Sequence, residues 1–335
     1  MEAIEHPAKT LAEPLLADSL DLDALADGAV HRLRIALVQN ALGRQVRVPA
    51  IVVKGERPGP VFGITSALHG NEVNGIAMIH RLLETFTPAD LRGTVVAIPI
   101  TNIPAYLNNT RRYPDGFDLN RLMPGKPHGT QSEIYANRLI NRIVNRFEYH
   151  LDLHTASFGR INSLYIRADM TKPTVAEMSR ILRPEIIVHN RSGDGTLRGA
   201  AQALGIHSVT VEIGNPQRFQ ADKVRQTRIG VRDLLEHLDM LDADHEQADL
   251  PTIECSRSYW LYVDRGGYLT VLPELVQKVA RGERIAELYN EWGDLIASYQ
   301  APEDGVVVGK ETNPVAGTGE RILHLGVIGP PPSAT

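Results

Sequence analysis

The sequence has 335 residues, of which 43% are hydrophobic and 22% are charged, and its formal net charge is −5 at pH 7. This length can bury a full core and allows one large domain and a smaller one. The charge pattern shows no basic face or tail, which argues against a nucleic-acid partner. Cys255 is the only cysteine, which excludes an internal disulfide and a thiolate zinc site. Any metal must therefore be held by His, Asp or Glu.

The start of the chain and its hydropathy predict a cytoplasmic protein with no membrane partner. The first residues, MEAIEHPAKT, are acidic where a signal peptide would need a basic region and an apolar run. No stretch approaches the ~20 apolar residues that a membrane span requires. Residues 1–27 are interpreted as an N-terminal lead-in, with a short helical pattern over residues 11–22.

Apolar runs then alternate with helical patterns. Strands are predicted at residues 32–38, 46–55, 61–68, 94–100, 149–156, 163–169, 185–190 and 207–214, and helices at residues 73–86, 132–147, 174–182, 195–204 and 224–241. Thr130 and Glu133 form a capping box that opens the second helix. Nearly continuous apolar strands between helices indicate an α/β sheet covered on both faces, in a domain over residues 28–245.

Two segments interrupt this alternation. Residues 102–129 have almost no periodicity and are rich in Asn, Pro, Gly and Arg. Long irregular segments of compact domains are usually functional or disordered, and the residues suited to ligand binding favour a functional loop.

The acidic stretch at residues 242–251 marks a domain boundary. The short strands and Gly/Pro turns that follow it predict an all-β domain over residues 252–330.

Polar residues suited to a metal site stand at the carboxyl ends of predicted strands. His69 and Glu72 lie between a strand and a helix, and His154 ends another strand. Two histidines and one carboxylate are a common protein ligand set of catalytic zinc, and open α/β sheets place their sites at this edge. His-x-x-Glu alone is weak evidence, and a core histidine is the commoner explanation of His154. The Asp-Leu-Asn-Arg motif at residues 118–121 and Glu212, near the end of a further strand, strengthen the zinc interpretation.

Four motifs occur in a characteristic order: HGNE followed by NG, DLNR followed by MPG, LDLHT, and VEIG. Together they resemble the motifs of the succinylglutamate desuccinylase/aspartoacylase family, within the wider zinc carboxypeptidase superfamily. The resemblance covers about residues 55–240. It implies a zinc carboxypeptidase-like α/β fold, in which helices flank a mixed sheet and a smaller all-β domain follows at the C-terminus.

The resemblance also implies a metal centre and a base. His69, Glu72 and His154 match the ligands of one Zn²⁺ per subunit. Glu212 matches the general base that takes a proton from zinc-activated water and later gives it to the leaving amine. Zinc lowers the pKa of bound water toward ~7, and a carboxylate within hydrogen-bond reach can then act as the base. A covalent mechanism is disfavoured, because Cys255 lies outside the α/β unit.

Further residues match groups that contact the substrate. Asn120 and Arg121 match the pair that holds the carboxylate of an amino-acid substrate, as a guanidinium fork can. Arg112 is the best match to an arginine that polarises the scissile carbonyl, with its neighbour Arg111 as the open alternative. Arg198 is a candidate contact for the acyl group. A solvated helix arginine explains its position equally well.

Two aspartates are candidate supports for the zinc ligands. Asp152 shares a strand face with His154 and could orient it from outside the metal's own ligand shell. An ordinary buried hydrogen-bond network explains it equally well. Asp118 is comparable, with the shaping of its loop as the alternative.

The expected activity is zinc-dependent hydrolysis of the amide bond of an N-acyl amino acid. The partner is then a small molecule or short peptide that bears a carboxylate. One alternative is a metallocarboxypeptidase that acts on a short or acidic peptide tail, and a further one is an inactive binding protein with the same fold. The acyl group, the role of the C-terminal domain and the formation of a homo-oligomer stay open at this point.

Overall fold

The computed structural model describes residues 13–191, 193, 195–243 and 251–331. The described strands are β1 (Leu15–Ala17), β2 (Ala29–Gln39), β3 (Gln45–Lys54), β4 (Arg57–Ser66), β5 (Arg92–Ile98), β6 (Tyr149–His154), β7 (Arg160–Asn162), β8 (Leu164–Ala168), β9 (Ile186–His189), β10 (His207–Ile213), β11 (Ile253–Tyr262), β12 (Gly267–Val271), β13 (Lys278–Val279), β14 (Arg284–Tyr289), β15 (Leu295–Gln300), β16 (Gly305–Glu311), β17 (Val315–Ala316) and β18 (Arg321–Ile328). The described α-helices are α1 (Asn74–Leu82), α2 (Ile103–Leu107), α3 (Gln131–Arg142), α4 (Pro173–Ile181), α5 (Leu197–Ala203) and α6 (Ala221–His237). Short 3₁₀ helices cover Leu119–Arg121 and Val144–Arg146.

The described strands form one large mixed sheet and one small antiparallel sheet. The order in the large sheet is β1-β2-β3-β5-β4-β6-β10-β8-β9-β11-β18-β16-β13, with β7 paired to β16. The small sheet has the order β15-β14-β12-β17. This confirms the predicted fold class, a mixed sheet flanked by helices with antiparallel strands at the C-terminus.

Helices cover both faces of the large sheet, as the apolar strands require. On one face α1, α4 and α6 bury residues such as Met78, Val175 and Val231 against the strands. On the other face α3 and α5 contribute Tyr135 and Leu197 to a second apolar cluster. None of the described helices has the length and apolar character needed to cross a bilayer.

Several C-terminal strands extend the large sheet instead of standing apart from it. Ile253 of β11 is opposite Ile186 of β9 in a parallel pair, and β18 and β16 continue from β11. The pairing satisfies N–H and C=O groups that an exposed edge strand would leave open. It also brings residues from the end of the chain close to the centre of the large sheet.

Local differences from the sequence-based predictions have physical explanations. The helical pattern at residues 11–22 is wrong in its described part, because Leu15–Ala17 pairs as a parallel strand with β2. The irregular segment contains α2 and a 3₁₀ turn, which are too short to show periodicity. The Thr130–Glu133 capping box is confirmed. Residues 1–12 of the lead-in and residues 244–250 of the predicted boundary lie outside the described residues.

Candidate metal centre and active site

Three adjacent parallel strands bring the candidate metal ligands and the candidate base together. In the sheet β6 lies between β4 and β10, and both pairings are parallel. Glu212 is opposite His154 in the register of β10 and β6, while His69 and Glu72 follow the end of β4. The carboxyl ends of parallel strands meet at one edge of the sheet, which is where open α/β folds place their sites.

The turn after β4 is held in place by hydrogen bonds from the segment that follows the neighbouring strand β5. Ala67 has φ of 50°, a left-handed conformation that is costly for a residue with a Cβ. Asn102 holds this turn, because its backbone N–H donates to the carbonyl of Ala67 and its side-chain amide donates to that of Leu68. A Cβ at Gly70 would collide with the backbone of Ala105. The His-Gly-Asn-Glu segment therefore needs its glycine for close packing.

His69, Glu72 and His154 form a compact cluster, and each is at most 3% exposed. Glu72 Oε1 lies 2.9 Å from His69 Nδ1, and Glu72 Oε2 lies 2.9 Å from His154 Nδ1. The two Nδ1 atoms are 3.2 Å apart. One ligand atom from each residue lies within 4.8 Å of the others, which is close enough for one ion.

Carboxylates lie on the far sides of both imidazoles and determine how the histidines could bind an ion. His69 Nε2 lies 3.0 Å from Asp118 Oδ1, and His154 Nε2 lies 2.9 Å from Asp152 Oδ2. Each imidazole can donate its Nε2–H outward and present the lone pair of Nδ1 inward, as metal-bound histidines do. Two inward lone pairs beside a carboxylate need a positive charge between them. The donor set of two histidines and one glutamate fits Zn²⁺.

The shifted pKa values of Glu72 and His154 also indicate a site that favours a positive charge. Burial would raise the pKa of Glu72, but hydrogen bonds and charge interactions with both imidazoles hold it well below its usual range. Burial would lower the pKa of His154, but Asp152 and Glu72 outweigh it and raise that pKa well above its usual value. The cluster thus stabilises a positive charge at a buried position, which a proton or a metal ion can supply.

Glu212 lies beside this cluster and contacts Asn162 and Arg167. Its Oε2 accepts a hydrogen bond from Asn162 Nδ2 at 3.2 Å, and its Oε1 is 3.7 Å from Arg167 Nε. Burial raises its pKa, although the charges of Arg167 and His154 oppose this. A carboxylate with a raised pKa at the edge of a cavity is suited to accept and return a proton near neutral pH.

The structure separates the two neighbouring arginines of the irregular segment. Arg111 Nη1 donates to Glu72 Oε1 at 3.0 Å, and its Nη2 donates to Asp118 Oδ2 at 2.9 Å. Arg112 is exposed and donates to the carbonyl of Gly116 at 3.3 Å. The structure therefore brings Arg111, and not the predicted Arg112, into contact with Glu72.

The other predicted substrate residues line the same cavity. Asn120 Oδ1 accepts the backbone N–H of Leu197 at 2.8 Å, which ties the Asp-Leu-Asn-Arg turn to the start of α5. Arg121 is exposed and its Nη1 donates to the carbonyl of Asn120. Arg198 is only 3% exposed and donates twice to Asn190, so it is not a solvated helix arginine. Burial lowers the pKa of Arg198 to about 10.

The cavity has a volume of about 630 Å³ and contains residues that the sequence reasoning missed. Tyr165 is opposite Glu212 in the pairing of β8 and β10, and its hydroxyl accepts hydrogen bonds from Arg167. The sequence signal that could have indicated this contact is the occurrence of Tyr165 and Arg167 two residues apart, and thus on one face, in an otherwise apolar strand. Trp260 and Arg321 also line the cavity. They come from the C-terminal strands, and no local pattern marks them.

Fold and site together define an α/β protein with a His-Glu-His cluster at the carboxyl edge of its sheet. Residues 58–238 match the family model described as the succinylglutamate desuccinylase/aspartoacylase catalytic domain. The chain belongs to this family, as its motifs predicted.

Comparisons with individual proteins agree with this assignment. The chain is 27% identical to the N-alpha-acetyl-L-2,4-diaminobutyric acid deacetylase of Halomonas elongata, over 97% of this chain and 98% of that protein. It is 25% identical to the succinylglutamate desuccinylase of Pseudomonas paraeruginosa, over 70% of this chain and 68% of that one. The product-bound ectoine utilization protein EutE (DoeB) of Ruegeria pomeroyi superimposes with a TM-score of 0.81 at 22% identity, over 92% of this chain and 97% of that chain. The similarity to deacylating enzymes supports a hydrolase.

Proposed function

We propose that this protein is a zinc-dependent deacylase that hydrolyses the amide bond of an N-acyl amino acid. The observation that carries the proposal is the pair of inward-facing Nδ1 atoms of His69 and His154 on the carboxylate of Glu72. Both imidazoles are anchored from outside by carboxylates. The named activities of the relatives, a deacetylase and a desuccinylase, support the reaction type.

In this proposal His69, Glu72 and His154 hold one Zn²⁺. When bound, the ion would polarise the amide carbonyl and lower the pKa of water. Glu212 takes a proton from the attacking water and passes it to the nitrogen of the leaving amine, so that a carboxylate and a free amine result. Arg111 carries a positive charge beside Glu72, where it can stabilise negative charge that develops on the carbonyl oxygen.

Substrate binding is assigned to the surrounding polar groups. Arg121 is exposed to the cavity and can present its planar fork to the amino-acid carboxylate. Asn120 assists by fixing the turn that carries Arg121, and Arg198 supplies a buried positive charge for the acyl group. We further propose that residues 28–245 form the catalytic unit, to which residues 252–330 add part of the cavity wall.

The test is a screen of the zinc-loaded protein against N-acetyl and N-succinyl amino acids and short acidic peptides, scored by amine release. Preferential turnover of an N-acyl amino acid supports the deacylase, whereas preferential release of a C-terminal residue from peptides would establish the carboxypeptidase alternative. Glu212→Gln, with its zinc content verified, serves as the inactive control. Zinc-loaded protein that turns over neither class would contradict the proposal.

A further inference from the structure

A buried histidine of β6 has no part in the proposed reaction. His150 is 0% exposed, and it shares one face of β6 with Asp152 and His154, because side chains alternate along a strand. Leu151 and Leu153 point to the opposite face, where they belong to an apolar cluster. A polar group at this depth costs free energy unless it is hydrogen-bonded, so the partners of His150 decide what it contributes.

Hydrogen bonds join His150 to both neighbouring strands. His150 Nδ1 is 2.9 Å from Ser208 Oγ of β10, and its Nε2 is 2.9 Å from Thr65 Oγ1 of β4. Thr65 Oγ1 in turn donates to Asp152 Oδ1 at 2.9 Å. The strand register sets these contacts, because Ser208 is opposite His150 and Thr65 is opposite Asp152. All four side chains are 0% exposed, so water cannot replace a lost contact, and we call them the His150 network.

Only one arrangement of protons satisfies the His150 network. The hydroxyl of Thr65 has a single proton, which it donates to Asp152, so it must accept at its contact with His150. His150 therefore donates from Nε2 and keeps a lone pair on Nδ1, which accepts the hydroxyl proton of Ser208. The imidazole must be neutral to accept there, and burial lowers the pKa of His150 to about 4. Every donor of the network then points toward Asp152.

The carboxylate at the end of this network is also the partner of a candidate metal ligand. Asp152 Oδ1 accepts the hydroxyl proton of Thr65, while Asp152 Oδ2 lies 2.9 Å from His154 Nε2. Because Oδ1 is held, the carboxylate cannot turn away from the imidazole, and a proton on His154 Nε2 keeps its acceptor. His154 Nδ1 then directs its lone pair toward His69 and Glu72, where a metal ion would bind.

We propose that Thr65 and His150 are positioning residues for the metal site. Through Asp152 they keep the proton of His154 on Nε2 and leave its Nδ1 free for the metal. The inference rests on the proposed function for the identity of that metal. A space-filling role would require only shape, and apolar residues of similar size could then take these positions. A directed network adds a preference between the two tautomers of His154, which shape alone does not supply.

Zinc titration of chelator-treated protein, in competition with a chromogenic chelator, tests the role of Thr65. Thr65→Val removes the hydroxyl and keeps the shape, so zinc binding should weaken by about 3- to 10-fold, the effect of one lost buried hydrogen bond. Thr65→Ser keeps the hydroxyl and should bind zinc within about twofold of wild type. Thr227→Val is the matched control, because Thr227 is 2% exposed and its hydroxyl donates to the carbonyl of Lys223 in α6, outside the cavity.

A second pair of variants tests whether the donor on His150 matters. The side-chain amide of His150→Gln can donate to Thr65, whereas His150→Leu fills the space without a donor. His150→Leu should therefore weaken zinc binding more than His150→Gln does, and melting temperatures verify that each variant is folded. Wild-type zinc affinity in both Thr65→Val and His150→Leu would overturn the inference. An equal loss in Thr65→Val and Thr227→Val, or in Thr65→Val and Thr65→Ser, would also overturn it.

The position of the proton on His150 can be read directly by NMR of protein with isotope-labelled histidine. Long-range proton–nitrogen correlations distinguish an imidazole protonated on Nε2 from one protonated on Nδ1, and the signals lost in His150→Gln identify those of His150. His150 should carry its proton on Nε2 in the zinc-loaded and in the metal-free protein. A proton on Nδ1 would remove the donor to Thr65 and would overturn the inference, whatever the zinc affinities.

These measurements distinguish failure of the inference from failure of the proposed function. Wild-type protein that turns over an N-acyl amino acid, with unchanged zinc affinity in Thr65→Val and His150→Leu, would refute the inference alone. Zinc binding that depends on Thr65 without turnover of any N-acyl amino acid would refute the proposed function and leave the network standing. Wild-type protein that binds no zinc would refute both.

Discussion

Replacing Asp152 with Asn tests whether the buried carboxylate behind His154 controls metal binding. Asp152 Oδ2 lies 2.9 Å from His154 Nε2, and its Oδ1 accepts a hydrogen bond from Thr65 Oγ1 at 2.9 Å. Asparagine has the same shape but only one oxygen. Either its amide N–H faces the Nε2–H of His154, or its oxygen faces His154 and the hydrogen bond with Thr65 must reverse direction; in both cases the negative charge behind His154 is lost.

The size of the expected effect follows from these contacts. Asp152 and His154 are at most 3% exposed, so water cannot replace the lost acceptor. Burial would raise the pKa of Asp152, but the charge of His154 lowers it, so the carboxylate is ionised at neutral pH and favours the tautomer with a free Nδ1. Loss of such a partner typically weakens metal binding by about 10- to 100-fold, or about 1.4–2.8 kcal/mol.

The assay is zinc titration of chelator-treated protein in competition with a chromogenic chelator. The gain in melting temperature at a fixed zinc concentration should fall in parallel, because metal binding to the folded state contributes to stability. Asp169→Asn is the control, since Asp169 is also a buried aspartate, 8% exposed, but bonds to Thr171 outside the cavity. A zinc affinity of Asp152→Asn within about twofold of wild type would refute the orienting role.

Five further substitutions test individual roles. Glu212→Gln should lower kcat by about 10²- to 10⁴-fold with zinc retained, and normal turnover would eliminate it as the base. His154→Ala should lose zinc by elemental analysis, so full metal content would remove it from the ligand set. Arg111→Ala should reduce kcat strongly while Arg112→Ala stays near wild type, and the reverse order in a parallel rate measurement would restore the first assignment. Arg121→Ala should raise KM for carboxylate-bearing substrates, and an unaltered KM would show that it does not hold the carboxylate.

The fold was predictable because its strands are short apolar runs and its longer helices carry clear periodicity, with a capping box at the start of α3. The capping box of Thr130 and Glu133 is a purely local interaction, and it forms as the sequence indicates. The described part of the predicted helical pattern, residues 13–22, was mispredicted for the opposite reason. The pairing of Leu15–Ala17 with β2 depends on a partner strand that no local pattern reveals.

Motif order and predicted strand ends also indicated which residues form the candidate site. His69, Glu72, His154 and Glu212 stand at strand ends in family order, and parallel strands place such positions at one edge. The side chains that contact these residues are known only from the tertiary structure. It placed Asp118 and Asp152 on the outer nitrogens of the imidazoles.

Only the tertiary structure shows which of the two neighbouring arginines contacts the candidate metal ligands. Arg111 and Arg112 are adjacent residues of the same type, so the sequence cannot distinguish their roles. In the structure only the guanidinium of Arg111 lies between Glu72 and Asp118. Arg321 and Trp260 reach the cavity because β11 pairs with β9 and carries the C-terminal strands to it. Local sequence determines which groups a strand end presents, whereas long-range strand pairing determines which of them share a cavity.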